Sequence, residues 1–301
     1  MHGRTFTLTT RRQTRTAGRR LLLAVMVAAA IAVSACRPPD QGLRTQPAEP
    51  QPAPRPALGQ IPKTPPKPKT VTPRRFNLGT SVEGRPIECL EFGAGDDVVL
   101  IMASIHGNEP AGTPLVRRLA NHLADQPDLL RGHRLLIVPA ANPDGLAHGK
   151  RQNARGVDLN RNFPANNYTS ASGHGGSALS EPESRALHQF LLDRKPRRIV
   201  SLHQPANYGT ACIDYDGPAE PLARAMAAQT DLPVRRLGGK NGSLGSFAGV
   251  GLGIPTITIE LPKNASSLDG EALWAKYGKM LLAAICFPER LRIEGEVRTG
   301  W

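Results

Sequence analysis

The sequence predicts an α/β protein: a single domain built on a mixed, mostly parallel sheet with helices on both faces, preceded by a signal-like segment and a disordered Pro-rich linker. Three observations carry that prediction. From Phe76 onward, short apolar runs alternate with longer amphipathic stretches, the pattern of strands alternating with helices. Histidines and glutamates fall immediately after several of those apolar runs, which places them together on one rim of the sheet. The charge is also unevenly spread. Of the formal +13, residues 1–75 hold 14 Lys/Arg against 2 Asp/Glu, leaving 24 against 23 in the remainder. The folding part is therefore nearly neutral, which argues against a basic nucleic-acid-binding face.

The amino terminus divides in two. Five arginines from Arg11 to Arg20 precede the apolar Leu21–Ala35, too short for a comfortable membrane span and ordered like a secretory signal. Its end, Val33-Ser34-Ala35-Cys36, resembles the lipobox of bacterial lipoproteins, which implies cleavage before Cys36 and lipidation of that thiol. An uncleaved signal anchor is the alternative, and both readings export the domain and tether it to a membrane facing the periplasm or cell wall. Residues 37–75 are rich in proline and lysine and poor in large apolar side chains, so they cannot bury enough surface to offset ordering entropy. They read as a spacer ahead of a domain at 76–301. Cys89, Cys212 and Cys286 remain, so at most one disulfide can form within the chain.

The domain reads in order as follows. Phe76–Glu91 is a hairpin with its turn at residues 81–86, and Val98–Ser104 is a buried strand. Pro110–Leu123 is a helix with Leu115, Leu119 and Leu123 on one face, and Leu135–Val138 is a strand closing on the turn Asn142-Pro143-Asp144-Gly145. Ser180-Glu181-Pro182-Glu183 suggests a capping box for the helix carrying Leu187, Phe190 and Leu191. Arg198–Leu202 is a strand ending on His203, Pro221–Gln229 is helical, Thr256–Ile259 is a strand ending on Glu260, and Glu271–Ile285 is the closing helix.

The rim residues define a chemistry. His106, Glu109 and His203 supply two neutral nitrogens and an anionic oxygen, a ligand set of hydrolytic zinc sites that keeps a position open for water. Zinc, one per chain, is the implied cofactor. Glu260 is the candidate general base and acid, taking a proton from the attacking water and passing it to a leaving amine.

Seven motifs then occur in a fixed order. They are His-Gly-Asn-Glu at 106–109, Asn-Pro-Asp-Gly at 142–145, Gly-Val-Asp-Leu-Asn-Arg-Asn-Phe-Pro at 156–164, Ser-Glu-Pro-Glu at 180–183, Ser-Leu-His at 201–203, Gly-Ser-Leu-Gly-Ser-Phe at 242–247 and Thr-Ile-Glu-Leu-Pro at 258–262. The set resembles the M14 family of zinc carboxypeptidases, and within it the bacterial murein peptide amidases. The resemblance implies a zinc carboxypeptidase-like fold and hydrolysis of an amide beside a free carboxylate in a murein peptide, between D-glutamate and diaminopimelate. It implies that Arg151 polarises the scissile carbonyl, that Asn160 and Arg161 grip the substrate carboxylate, and that Asp158 orients His106. It also implies a cis bond at Gln204-Pro205. The chain lacks the mobile tyrosine of the carboxypeptidases in the stretch 237–242, where a wall of backbone would take its place.

Two other functions share parts of this pattern. Zinc deacylases of the aspartoacylase and succinylglutamate desuccinylase type have His-Gly-Asn-Glu and Asp-Leu-Asn-Arg, and a non-catalytic lipoprotein that binds wall peptides would keep the pocket but lack a ligand or the base. Of the other histidines, His148 and His174 flank the 148–176 loop and are candidates to touch substrate, whereas His122, His133 and His188 read as structural. The expected partners are a murein peptide and a membrane reached through the lipid, with no nucleic acid or protein partner implied.

Overall fold

A computed structural model of the chain describes residues 70–204 and 211–289. The lipobox and Cys36, nearly all of the spacer and the Gln204-Pro205 bond lie outside those residues. A seven-stranded sheet runs in the order β1-β2-β4-β3-β5-β7-β6. Its strands are β1 (Arg74–Thr80), β2 (Pro86–Phe92), β3 (Asp97–Ala103), β4 (His133–Val138), β5 (Arg198–His203), β6 (Cys212–Asp216) and β7 (Thr256–Glu260). The four central strands β4, β3, β5 and β7 are parallel, flanked by antiparallel β1-β2 on one side and β6 on the other. The domain starts slightly earlier than Phe76. Val71 packs against the core and its N–H donates to the Ala124 carbonyl at 2.9 Å.

Because side chains alternate across a strand, each strand feeds two cores. Val99, Ile101 and Ala103 of β3 face the helices α1 (Gly112–Asp125), α4 (Glu220–Ala227) and α5 (Gly270–Cys286). Leu100 and Met102 face the other way, against α3 (Pro182–Arg194) and the loop residues Leu159, Phe163 and Phe247. Helices therefore cover both faces. The α1 stripe Leu115, Leu119 and Leu123 is fully buried, as its four-residue spacing requires.

Two local expectations are corrected. Asn142-Pro143-Asp144-Gly145 is not an isolated turn but the start of a short helix, α2 (Pro143–His148), with the Asn142 side chain accepting from Gly145 N at 2.9 Å and Pro143 in the first turn. Ser180 and Glu183 do not form a capping box. Glu181 occupies the cap position of α3 without a side-chain cap bond, and Glu183 instead accepts from Val82 N at 3.1 Å and Asn153 Nδ2 at 3.1 Å. Those backbone and amide donors compete successfully because Glu183 is fully buried, where an unpaired carboxylate is costly.

The three described cysteines are free thiols on β2, β6 and the end of α5. Burial pushes the Cys89 thiol up to about 12 and the Cys212 thiol up to about 11. Among the described residues no helix is long and apolar enough to cross a membrane.

Candidate active site

The carboxyl ends of β3, β5 and β7 meet at one cavity. At the end of β3, Ser104 takes a left-handed backbone (φ 50), unusual for a residue with a side chain and held there by its surroundings. Its Oγ lies 2.8 Å from Thr113 Oγ1 and its carbonyl accepts from Asn142 N at 3.0 Å. This bend swings His106 and Glu109 over the sheet edge. Gly107 is required next to them, since a Cβ there would collide with the Gly145–Leu146 backbone. Gly107→Ala is expected to lower stability by about 1–3 kcal/mol through overpacking, read from denaturant midpoints, and a midpoint equal to wild type would contradict this packing.

The ligand candidates converge. His106 Nδ1 lies 2.9 Å from Glu109 Oε1, His203 Nδ1 lies 2.9 Å from Glu109 Oε2, and the two Nδ1 atoms lie 3.1 Å apart. All three residues are buried, and one ligand atom of each falls within 4.8 Å of the others. Residues 97 positions apart meet because β3 and β5 are paired neighbours. His106 Nε2 meets Asp158 Oδ1 at 3.0 Å; the carboxylate accepts, so the proton sits on Nε2 and the Nδ1 lone pair faces the cavity. Gln204 N donates to Glu109 Oε2 at 3.1 Å, fixing the carboxylate from behind.

The electrostatics fit a cation. Burial alone would push the Glu109 carboxyl up, but His203 and His106 beside it hold it well below the usual range. Asp158 is likewise held down against burial by His106, Arg151 and Arg161. Burial disfavours a charged His106 ring, yet its two carboxylate neighbours outweigh that and favour positive charge there. Two imidazole nitrogens and an ionised carboxylate, facing one point in a nearly neutral domain, match the donor chemistry of a zinc site. Asp158→Ala removes the acceptor that sets the His106 tautomer, so metal affinity is expected to fall about 10–100-fold in competition with a chromogenic chelator, and unchanged affinity would deny Asp158 that role.

The remaining predicted residues line the same cavity. Glu260 pairs with His203 across β5 and β7, and its Oε2 is buried with no hydrogen-bond partner among the described residues. Burial pushes its carboxyl up, partly opposed by His203 and reinforced by Glu109. Arg151 donates from Nε to Asp158 Oδ2 at 2.9 Å and from Nη1 to Glu109 Oε1 at 3.2 Å, which holds its guanidinium at the cavity wall. Asn160 Oδ1 accepts from Leu244 N at 2.9 Å, and Arg161 Nη1 donates to the Asn160 carbonyl at 2.6 Å. His148 is instead paired with Glu83 at 2.9 Å, and His174 Nδ1 lies 3.0 Å from the Thr169 carbonyl, so neither histidine lines the cavity. The stretch without tyrosine contributes Leu237, Gly238 and Lys240 to the wall, followed by Ser243, Leu244 and Gly245.

Sequence reasoning missed the cavity's far end, formed by Ser201, Thr258, Asp214 and Asp216. Ser201 and Thr258 lie on strands the sequence predicts, whereas Asp214 and Asp216 lie on β6, which it does not, and pairing of β6 with β7 brings the two pairs together.

Comparison with known proteins agrees with this geometry. The zinc carboxypeptidase family pattern matches residues 68–226. Murein peptide amidase A of Escherichia coli (strain K12) is 34% identical over 213 residues, covering 64% of this chain and 84% of that protein. The protein of the same description from Vibrio campbellii is 31% identical over 230 residues, covering 69% of this chain and 86% of its own. Among solved structures, murein-tripeptide amidase MpaA from Escherichia coli O157 superposes with a TM-score of 0.54 at 28% identity, over 76% of this chain and 98% of that one.

Proposed function

The chain belongs to the zinc carboxypeptidase family (M14), whose members are zinc metallohydrolases, and on that premise we propose that it hydrolyses an amide adjacent to a free carboxylate in murein peptides, the bond between D-glutamate and diaminopimelate. The observation that carries the reading is the meeting of His106, Glu109 and His203 beside a buried Glu260 oxygen that no group among the described residues satisfies. The murein amidases among its relatives supply the substrate class.

In this reading His106, Glu109 and His203 hold the zinc. Zinc, when bound, supplies a Lewis acid that polarises the carbonyl and lowers the pKa of the attacking water. Glu260 accepts a proton from that water and delivers it to the leaving nitrogen; a carboxyl raised toward neutrality gives and takes a proton more readily. Arg151 steadies the developing oxyanion, and Asn160 with Arg161 binds the free carboxylate. Murein tripeptide incubated with the full chain, with and without chelator, tests this directly by mass spectrometry. The expected result is chelator-sensitive release of free diaminopimelate. Intact tripeptide, or release of acyl groups from acylated amino acids in its place, would overturn it.

The same proposal includes export and a lipid tether at Cys36, which rests on the sequence of residues 1–36. Labelled palmitate is expected to enter the wild-type chain in a bacterial host and not Cys36→Ala, and equal labelling of both would remove the tether.

A further inference from the structure

Ser104 stands where the backbone suits glycine. Among the described residues three side chains other than glycine sit on a left-handed backbone: Ser104, Leu179 and Lys195. Lys195 ends α3, a place where helices commonly turn left-handed, and Leu179 lies in a loop. Of the three, Ser104 alone is fully buried, and it follows a central strand two residues before His106. Glycine adopts this conformation freely, whereas a Cβ makes it costly, so the surroundings must hold Ser104 there.

The backbone supplies part of that hold. The Ala103 carbonyl accepts from Ala141 N at 2.9 Å, next to the Asn142 bond to Ser104, so the chain beyond β4 grips the end of β3. Two hydroxyls supply the rest. Thr113, in the first turn of α1, donates from Oγ1 to the Pro139 carbonyl at 2.6 Å and lies 2.8 Å from Ser104 Oγ. A hydroxyl has one proton and a carbonyl only accepts, so the Thr113 proton is committed to Pro139. Ser104 is therefore the donor to Thr113. The result is a relay from Ser104 to Thr113 to Pro139 that fastens the ends of β3 and β4 to α1. The Glu109 carbonyl, 3.4 Å from Ser104 Oγ, is too distant to replace Thr113.

The relay governs the direction in which the chain leaves β3. Glu109 N donates to the His106 carbonyl at 3.2 Å, so His106 and Glu109 turn together with the backbone that carries them. Zinc–ligand distances tolerate only about 0.2 Å, and a backbone rotation two residues upstream moves an imidazole by more than that. Thr113 is absent from the cavity wall and touches neither ligand side chain, so whatever it does for the metal it does through Ser104.

We propose that Thr113 is a positioning residue for the metal site: by accepting from Ser104 and donating to Pro139, its hydroxyl holds the left-handed bend that brings His106 and Glu109 to the zinc. The inference rests on the zinc site described above and adds the device that presets its geometry.

The test reads two quantities on the full chain. One is zinc affinity in competition with a chromogenic chelator, and the other is hydrogen exchange at Asn142 N–H, which needs no metal. Thr113→Val removes the hydroxyl with little change of shape. It is expected to weaken zinc about tenfold, the lower end of the range for a group standing behind a metal ligand. Exchange at Asn142 is expected to quicken relative to amides of the central strands. Thr113→Ser keeps the hydroxyl and is expected to bind zinc as the wild type does. The deciding variant combines Thr113→Val with Ser104→Gly. Glycine takes the bend unaided, so zinc affinity and Asn142 protection should return although both hydroxyls are gone. A merely structural Thr113 predicts a further loss instead, because glycine loosens the unfolded chain. Ser104→Ala and Ser104→Gly repeat the comparison with Thr113 intact: alanine keeps the Cβ and should weaken zinc, and glycine should not.

Unchanged zinc affinity in Thr113→Val, or a loss that Ser104→Gly does not repair, would overturn the proposal. If Thr113→Val does not fold, the Ser104 pair decides, with weaker zinc in the alanine variant supporting the relay and equal affinities overturning it. If the wild type binds no zinc, the metal reading falls separately. Asn142 exchange then decides, with quickening in Thr113→Val and recovery in the double variant supporting the relay and unchanged exchange overturning it.

Discussion

Glu260→Gln is expected to lower kcat on murein tripeptide by about 10³-fold while the protein still folds and retains zinc, since a general base or acid typically contributes 10²–10⁴-fold. The substitution is nearly isosteric, and Glu260 Oε2 accepts no bond from the described residues. Loss of activity without loss of metal or midpoint stability would therefore isolate proton transfer. A variant that keeps more than about a tenth of wild-type kcat would show that another group moves the proton. The Oε2 atom makes this prediction sharp: protein interiors rarely leave a buried carboxylate oxygen unpaired, and this one lines the cavity without a partner among the described residues.

His203→Ala is expected to have the other large effect, of a different kind. Removing one of three ligands leaves His106 and Glu109 alone, so zinc should no longer copurify and hydrolysis should fall to background. The fold should survive, because the β5 backbone pairing with β3 and β7 does not involve the imidazole. Elemental analysis and far-UV circular dichroism on the same preparation separate the two. Full zinc occupancy in His203→Ala would mean that the metal is held elsewhere.

These residues were legible in the sequence for a physical reason. β3, β5 and β7 are buried strands of the parallel centre, rich in β-branched and apolar residues, and the histidine or glutamate that follows or closes each marks the carboxyl rim. His106, His203 and Glu260 are those markers. Glu109 follows from its spacing to His106. Arg151, Asp158, Asn160 and Arg161 lie in a loop without periodicity, so only the family resemblance assigned them roles. β6 escaped because Cys212-Ile213-Asp214-Tyr215-Asp216 is a five-residue edge strand with aspartates at alternate positions and so has no continuous apolar run. Their direction into the cavity depends on pairing with β7, which no local pattern records. The start of α2 was hidden for a related reason. Asn-Pro-Asp-Gly has the composition of a turn, and only the Asn142 cap bond and the chain that follows make it helical.

Hydrolysis by this chain depends on His106, Glu109 and His203 sharing one zinc ion. Diffraction from crystals of the purified chain, collected on both sides of the zinc absorption edge, tests this most directly. A single strong anomalous peak is expected, bounded by His106 Nδ1, His203 Nδ1 and the Glu109 carboxylate, with Glu260 facing it. A zinc-replete crystal with no peak there, or with its peak on other residues, would contradict it.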